Sequence, residues 1–218
     1  MFTKQNVAII ILAILLAASI ITLILLSASY KNVKQSLQVC EKNLSEQDQK
    51  VAQRAEAEMK QMKSTHDKLI SELKDQIQKQ EVTIKESQDS LSLNFVDRIL
   101  FEFGKADLTP EGEKVLKKVG EALKNITGKK IRVTGHTDPV PIRPEYMNKF
   151  PSNWELSAAR AASVVRYFQE KTGLDPKDLE AVGRSFYHRE AGNDTKEGRA
   201  RNRRVEILIA PQLEVKRK

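Results

Sequence analysis

A long apolar run lies near the start of this chain. Residues 7–26 contain only Ser19 and Thr22 as polar interruptions. A helix of about twenty residues covers about 30 Å, which is the hydrocarbon thickness of a bilayer. The sequence therefore predicts a short N-terminal tail at 1–6 and a transmembrane helix at 7–26 that attaches the chain to the lipid bilayer.

A cleavable signal peptide is the alternative interpretation of this run. Residues 27–29, Ser-Ala-Ser, would serve as a small-residue cleavage site, but the apolar run is long for that role, so an uncleaved anchor is preferred. Lys4 on one side and Lys31 and Lys34 on the other give no orientation by the positive-inside rule. The single cysteine, Cys40, excludes an intrachain disulfide and is interpreted as an ordinary helix residue.

A long polar helix is predicted to follow the anchor. Residues 27–92 contain neither glycine nor proline and are rich in Gln, Glu, Lys and Ser. Apolar residues recur there in alternating three- and four-residue steps, with one change of phase. They stand at Val33, Leu37, Cys40, Leu44 and Val51. This pattern indicates a weak coiled-coil stalk and a homodimer, whereas a partly frayed spacer remains the alternative because Gln47 is polar.

From residue 93 the pattern changes to that of an α+β domain, predicted to end at 211 before a basic tail at 212–218. Strands are predicted at 96–103, 131–135, 180–183 and 204–209. One helix begins with Thr109 as N-cap and another with a capping box formed by Ser152 and Glu155. The order β-α-β-α-β-β predicts a small mixed sheet with the helices on one face.

The second of these helices is predicted to have two stripes. Helical periodicity predicts a core stripe, formed by Trp154, Ala158, Ala161, Val165 and Phe168. A neighbouring stripe is predicted to face a cleft at the end of the strand that precedes Thr137 and Asp138. Its members are Asn153, Leu156, Ser157 and Arg160.

Asp138 and Arg160 are the candidate binding pair. A carboxylate and a guanidinium that face one cleft can bind the ammonium and the carboxylate of an amino-acid end. The positive end of the helix dipole also favours a ligand carboxylate there. The alternative is that these two side chains simply pair with each other, and spacing alone does not decide between the two.

Three ordered motifs in residues 93–211 resemble the OmpA-like (OmpA/MotB) peptidoglycan-binding domain, and most closely its MotB-like branch. The motifs are Gly135-His-Thr-Asp138, the string from Phe150 to Ala161, and the string from Gly198 to Ile207. The resemblance implies non-covalent binding of the diaminopimelate of peptidoglycan by Asp138 and Arg160. It also implies binding roles for Thr137, Asn153, Leu156 and Ser157, and for Arg203 of the Asn-Arg-Arg string.

The resemblance implies a non-catalytic tether in the bacterial inner membrane, with its C-terminal domain in the periplasm. A MotB-like stator or accessory subunit of a membrane complex is the alternative. Stators of this type carry an aspartate in the membrane span, whereas residues 7–26 contain no ionisable side chain. Because a proton relay needs such a group, a proton-conducting role is disfavoured, although a membrane-complex partner remains open.

Charge and motifs argue against other classes of protein. The net charge is +8, and most of the basic excess lies in residues 95–218, which suits nucleic acid, a membrane surface or an anionic polymer equally. The arginine-rich string at 199–204 stands directly before a strand and behind a membrane anchor, so no nucleic-acid partner is expected. His136, Asp138 and His188 lack metal-ligand spacing, and no nucleophile motif occurs; no metal, cofactor or catalysis is predicted.

Overall fold

The computed structural model describes residues 4–87 and 90–211. The predicted basic tail at 212–218 and the first three residues of the predicted N-terminal tail lie outside the described residues. The chain divides into two compact units between Ala57 and Glu58. The division falls within the first helix, α1 (Lys4–Glu72).

The first unit is the part of α1 up to Ala57. Its large apolar side chains between Ile14 and Leu26 are all more than half exposed, unlike those of a core helix in a soluble domain. By length and composition, α1 is the one helix among the described residues that could cross a membrane. A signal sequence can have the same length and apolar composition.

The second unit contains the end of α1 and twelve further elements. The helical elements are α2 (Lys74–Gln78), α3 (Asp97–Leu100), α4 (Pro110–Leu123), α5 (Pro144–Met147), α6 (Asn153–Tyr167, continued by a π-helical turn at Phe168–Thr172), a 3-10 turn (Pro176–Asp178) and α7 (Lys196–Asn202). The strands are β1 (Val82–Glu86), β2 (Leu91–Val96), β3 (Lys129–His136), β4 (Leu179–Gly183) and β5 (Arg204–Pro211).

The five strands form one mixed sheet in the order β1-β2-β5-β3-β4. Only β3 and β4 are parallel, and α6 makes the crossover between them. The remaining neighbours are antiparallel. This arrangement confirms the predicted α+β class and the small mixed sheet.

One face of the sheet carries the core. Alternate residues of the central strands are fully buried, for example Leu93 of β2, Val133 of β3 and Ile207 of β5. They belong to one cluster with side chains of α4 and α6. The end of α1 contributes Met62 and Leu69 to the same cluster. Helices therefore cover this face, as predicted.

Two boundaries differ from the prediction. The helical stalk was predicted to reach residue 92, but the last helix before the sheet ends at Gln78, and residues 82–86 form the edge strand β1. The strand predicted at 96–103 lies instead at Leu91–Val96, where burial alternates along the strand, and α3 follows it directly. Backbone pairing with β5 fixes this register, from Leu91 opposite Ile209 to Val96 opposite Arg204.

The predicted core stripe of α6 is wrong in part. Ala161 and Phe168 are buried, but Trp154 is 48% exposed and Ala158 is also exposed. The buried face of the helix start is instead the neighbouring stripe, which includes Leu156, Ser157 and Arg160. The helix is therefore rotated relative to the prediction, and it turns its polar stripe inward.

Candidate functional site

The candidate site lies where β3 ends and α6 begins. β3 stops at His136, so Thr137 and Asp138 stand at the strand tip. The proline-containing segment after them returns the chain to Ser152, the N-cap of α6. Both Thr137 and Asp138 are buried, with 3% and 6% exposure.

A capping box fixes the start of α6, as predicted. The Ser152 hydroxyl accepts a hydrogen bond from the Trp154 backbone N–H at 3.1 Å, and the Ser152 backbone N–H donates to Glu155 at 2.8 Å. These bonds satisfy backbone donors that the first turn leaves free. The helix start is therefore rigid, which is needed for a site built on its first two turns.

Two ion pairs line the site: Arg160–Asp97 is buried on both sides, whereas in Asp138–Arg203 the arginine side chain is 29% exposed. Asp138 Oδ2 lies 2.5 Å from Arg203 Nη1, and Asp138 Oδ1 accepts a hydrogen bond from the Val140 backbone N–H at 3.1 Å. Arg160 Nη1 lies 2.9 Å from Asp97 Oδ1, and Arg160 Nε donates to the Lys105 carbonyl at 2.9 Å. Asp138 and Arg160 are therefore each paired with a different residue. They do not pair with each other, which was the alternative interpretation of the sequence.

The two ion pairs share one cleft with about 430 Å³ of empty space that is open to solvent. Six of the seven predicted site residues line it: Thr137, Asp138, Asn153, Leu156, Arg160 and Arg203. Ser157 does not. Its hydroxyl accepts a hydrogen bond from the Ser185 backbone N–H at 3.0 Å and donates one to the Trp154 carbonyl at 3.0 Å. Ser157 therefore stabilises the start of α6 without lining the cleft.

A small apolar cluster supports one wall of the cleft. Leu156 packs there with Ala106 and Phe150, against the partly buried Ile142 and Tyr146. Gly104, another lining residue, has φ +74°, and a Cβ there would meet the Tyr146 ring at 2.5 Å. The wall therefore depends on a glycine at this position.

Asp97 is a lining residue that the sequence reasoning missed. It directly follows β2 and is 5% exposed. Burial raises its pKa to about 6, and the neighbouring Arg160 opposes that rise. Burial likewise lowers the pKa of Arg160, against the pull of Asp97. The sequence did contain a signal for this site, because Asp97 is the single acidic residue within the mostly apolar run 93–101.

Two buried oxygens in the cleft have no hydrogen-bond partner among the described residues. They are Thr137 Oγ1 and Asp97 Oδ1, the latter being at ion-pair distance from Arg160 without hydrogen-bond geometry. Buried polar atoms are normally satisfied. The cleft thus offers two carboxylates, two guanidiniums and a free hydroxyl, an arrangement that suits a ligand carrying both charges.

The histidines singled out in the sequence do not join this cleft. His136 is 3% exposed and lies with His188 on a different surface cavity, where the two ring centroids are 6.5 Å apart. Burial lowers the pKa of His136, and the Glu206 carboxylate, 3.8 Å from its Nε2, opposes this. Within residues 4–87 and 90–211, no cluster of three or more His, Cys, Asp or Glu side chains could hold a metal ion.

The fold and the motifs define the class of this chain. Residues 100–203 match the OmpA family, and the chain belongs to that family.

Among its relatives, Motility protein B of Bacillus subtilis (strain 168) is 35% identical over 155 residues, which cover 71% of this chain and 57% of the relative. The solved cell wall anchor of the T6SS from Pseudomonas aeruginosa is 36% identical with a TM-score of 0.59, covering 66% of this chain and 97% of that one. A MotB like protein from Desulfovibrio vulgaris is 25% identical with a TM-score of 0.64, covering 72% and 99%.

Proposed function

We propose that this chain is a non-catalytic tether that holds a bacterial inner membrane to the cell wall by binding the diaminopimelate of peptidoglycan. The observation that carries the proposal is the cleft lined by two ion pairs, Asp138–Arg203 and the fully buried Arg160–Asp97. The proposal is also supported by the relative that is named as a cell wall anchor.

The chemistry of the cleft suits the free end of the diaminopimelate side chain, which carries one ammonium and one carboxylate. Asp138, aided by Asp97, accepts hydrogen bonds from the ammonium. Arg160 and Arg203 donate to the carboxylate. Thr137 and Asn153 offer further polar contacts and Leu156 an apolar wall, whereas Ser157 holds the helix start in place.

The proposed location follows from the anchor. Residues 7–26 cross the inner membrane, the stalk extends on the wall side, and the OmpA-family domain lies in the periplasm. The exposed apolar side chains between Ile14 and Leu26 support the membrane assignment. A reporter fused after Lys218 tests the orientation, since a cytoplasmic signal from it contradicts every wall-facing part of the proposal.

Retention on insoluble peptidoglycan tests the site. Asp138→Asn keeps the shape of the side chain and removes its charge, and we expect it to weaken retention about tenfold or more, because a charged hydrogen bond is lost. Asp178→Asn is the matched control, since Asp178 forms an ion pair with Lys130 at 3.3 Å and does not line the cleft. Equal retention of both folded variants contradicts the proposed site.

The identity of the bound amino acid is tested with two kinds of cell wall. Peptidoglycan with lysine in place of diaminopimelate keeps the side-chain ammonium and lacks the second carboxylate. Because Arg160 and Arg203 then lose their ligand partner, retention is expected to be weaker on the lysine-type wall. Equal binding to both walls rules out recognition of the diaminopimelate carboxylate.

A second function is favoured by the names of two relatives, a motility protein and a T6SS wall anchor. In this proposal the chain is an accessory subunit that fixes a membrane motor or transport complex to the wall. The lack of an ionisable residue in 7–26 argues against proton conduction by this chain itself. Co-purification of a stoichiometric membrane partner from detergent extracts supports this function, and its absence favours the plain tether.

A further inference from the structure

Two exposed aromatic side chains and a partly buried one form a stacked surface beside the start of α6. This aromatic shelf consists of Trp154, Phe186 and Tyr187. The rings of Trp154 and Tyr187 are stacked with centroids 5.4 Å apart, and those of Phe186 and Tyr187 with centroids 4.5 Å apart. Trp154 is 48% exposed and Tyr187 63% exposed. A contiguous aromatic surface in water commonly marks a binding site.

The backbone holds the shelf in a fixed place. Ser185, just before Phe186 and Tyr187, has φ +51°, a left-handed conformation that is rare for a residue with a side chain. The turn is fastened on both sides, because the Ser185 N–H donates to the Ser157 hydroxyl at 3.0 Å and its carbonyl accepts from the Thr137 N–H at 2.9 Å. Ser157 and Thr137 thus link the shelf directly to the cleft.

We infer that the aromatic shelf binds a sugar ring of the peptidoglycan glycan strand. The inference rests on the proposed function, because it takes the cleft as the site of the peptide stem. The C–H face of a pyranose ring is apolar and flat, so it can cover aromatic faces while its hydroxyls stay in water. Trp and Tyr suit such a contact, since each joins an apolar ring to a polar tip.

The polar tips of the shelf are available for a ligand. Among the described residues, neither the Trp154 indole N–H nor the Tyr187 hydroxyl has a hydrogen-bond partner within the protein. A sugar hydroxyl could accept from the first and bond to the second. The shelf has only three rings, far less than the roughly 800 Å² per partner of a stable protein interface, so its size suits one or two sugar rings.

The spacing between the shelf and the cleft fits the chemistry of the wall. Asn153 lines the cleft and Trp154, the next residue, lies on the shelf, so the start of α6 separates the two sites. A helix with its side chains is about 10 Å across. In peptidoglycan a lactyl group and two amino acids stand between diaminopimelate and the sugar ring, and these three units span roughly 10 Å when extended. One stem can therefore reach both sites.

Two soluble ligands test the inference on the 218-residue chain in detergent: a diaminopimelate stem peptide, and the same peptide attached to its disaccharide. Trp154→Ala and Tyr187→Ala are expected to weaken binding of the disaccharide peptide about three- to tenfold and to leave binding of the peptide unchanged. Trp154→Phe should retain most of the affinity. Ile70→Ala, which removes another exposed apolar side chain, is the control and should change neither value.

If the shelf variants bind the disaccharide peptide as well as the wild type, or weaken both ligands equally, the shelf does not bind the sugar. Asp138→Asn should weaken both ligands. If it weakens neither, the proposed function fails, whatever the shelf variants do.

Discussion

At the scale of single residues, the protonation of Asp97 connects the cleft to the stability of the domain. The unfolded chain has an aspartate pKa of about 3.9, whereas burial raises the pKa of Asp97 to about 6 in the folded domain. Between these values the folded state binds more protons than the unfolded state. The contribution of Asp97 to stability is therefore present below about pH 4 and is lost as pH rises through 6.

Asp97→Asn should remove this dependence. The difference in free energy of unfolding between wild type and variant should change by up to about 3 kcal/mol between pH 4 and 7, measured by denaturant titration. The comparison is needed because His136 and Glu206, whose pKa values are lowered, act in the opposite sense. A constant difference across this range, or an Asp97 carboxyl NMR signal that titrates near 4, contradicts the raised pKa.

Six of the seven residues predicted for the site line the cleft. Five of them stand at the strand tip or the helix start, which are local properties of the sequence, whereas Arg203 was predicted from the family resemblance alone. Sequence reasoning missed Asp97, which lies 63 residues before Arg160 in the chain and meets it only through the pairing of β2 with β5. It also predicted Trp154 to be buried. Helical periodicity defines stripes but not their rotation, which here is set by the glycines under α6.

At the scale of elements, the close approach of α6 to the sheet decides where the cleft side chains stand. A Cβ at Gly183 of β4 would lie 2.7 Å from the Ala158 backbone nitrogen, and a Cβ at Gly135 of β3 would overlap the Ser157 carbonyl. The helix start therefore rests directly on two glycines. A side chain at either glycine would not fit between α6 and the sheet unless the backbone moved.

Gly135→Ala should lower the free energy of unfolding by about 3 kcal/mol or more, since a rigid backbone must shift to relieve the overlap. Retention on peptidoglycan should fall as well, because Arg160 moves with α6. Gly192→Ala is the control, since the nearest atom to its Cβ, at 3.3 Å, is the end of the flexible Asp194 side chain. Comparable melting temperatures for the two variants would show that α6 does not depend on this contact.

Element types were more predictable than element limits. The caps at Thr109 and Ser152 were found because their side chains act on adjacent backbone. β1 was not predicted, because residues 82–86 form a short, half-polar strand that is stabilised only by pairing with β2. A weak edge strand after a glycine-free helix has no local signal that separates it from the helix.

At the scale of the whole molecule, the folded domain begins earlier in the chain than residue 93. Five buried apolar side chains of its core precede that residue: Met62, Leu69, Leu73, Val82 and Leu91. Burying each stabilises the domain by about 1.5 to 3 kcal/mol, and their sum is comparable to the whole stability of an ordinary domain.

A fragment of residues 58–218 should therefore unfold cooperatively, whereas a fragment of residues 93–218 should be aggregated or molten. Thermal unfolding followed by near-ultraviolet circular dichroism distinguishes them. A fragment of residues 27–218 is the control and should melt at the same temperature as 58–218, since the added segment belongs to the other unit. A cooperative transition in 93–218 would show that the helix end and β1 are dispensable.

We expect two copies of the chain to associate through the stalk. Val33, Leu37, Leu44 and Val51 are all more than half exposed, and Cys40 stands in the same apolar seam. Two chains anchored in one membrane with the same orientation would pair in parallel and in register, which covers this seam and brings the two copies of Cys40 within disulfide distance. Mild oxidation of the 218-residue chain should therefore yield a covalent dimer.

A relocated cysteine separates specific pairing from random collision. Lys42 lies two residues beyond Cys40, on the outer side of the helix in this heptad register, so Cys40→Ser combined with Lys42→Cys should cross-link poorly under the same oxidation. If the two proteins cross-link equally, the disulfide reports only crowding in the detergent micelle. If neither does and the protein sediments as a monomer, the exposed seam needs a different partner, and the stalk is a single helix.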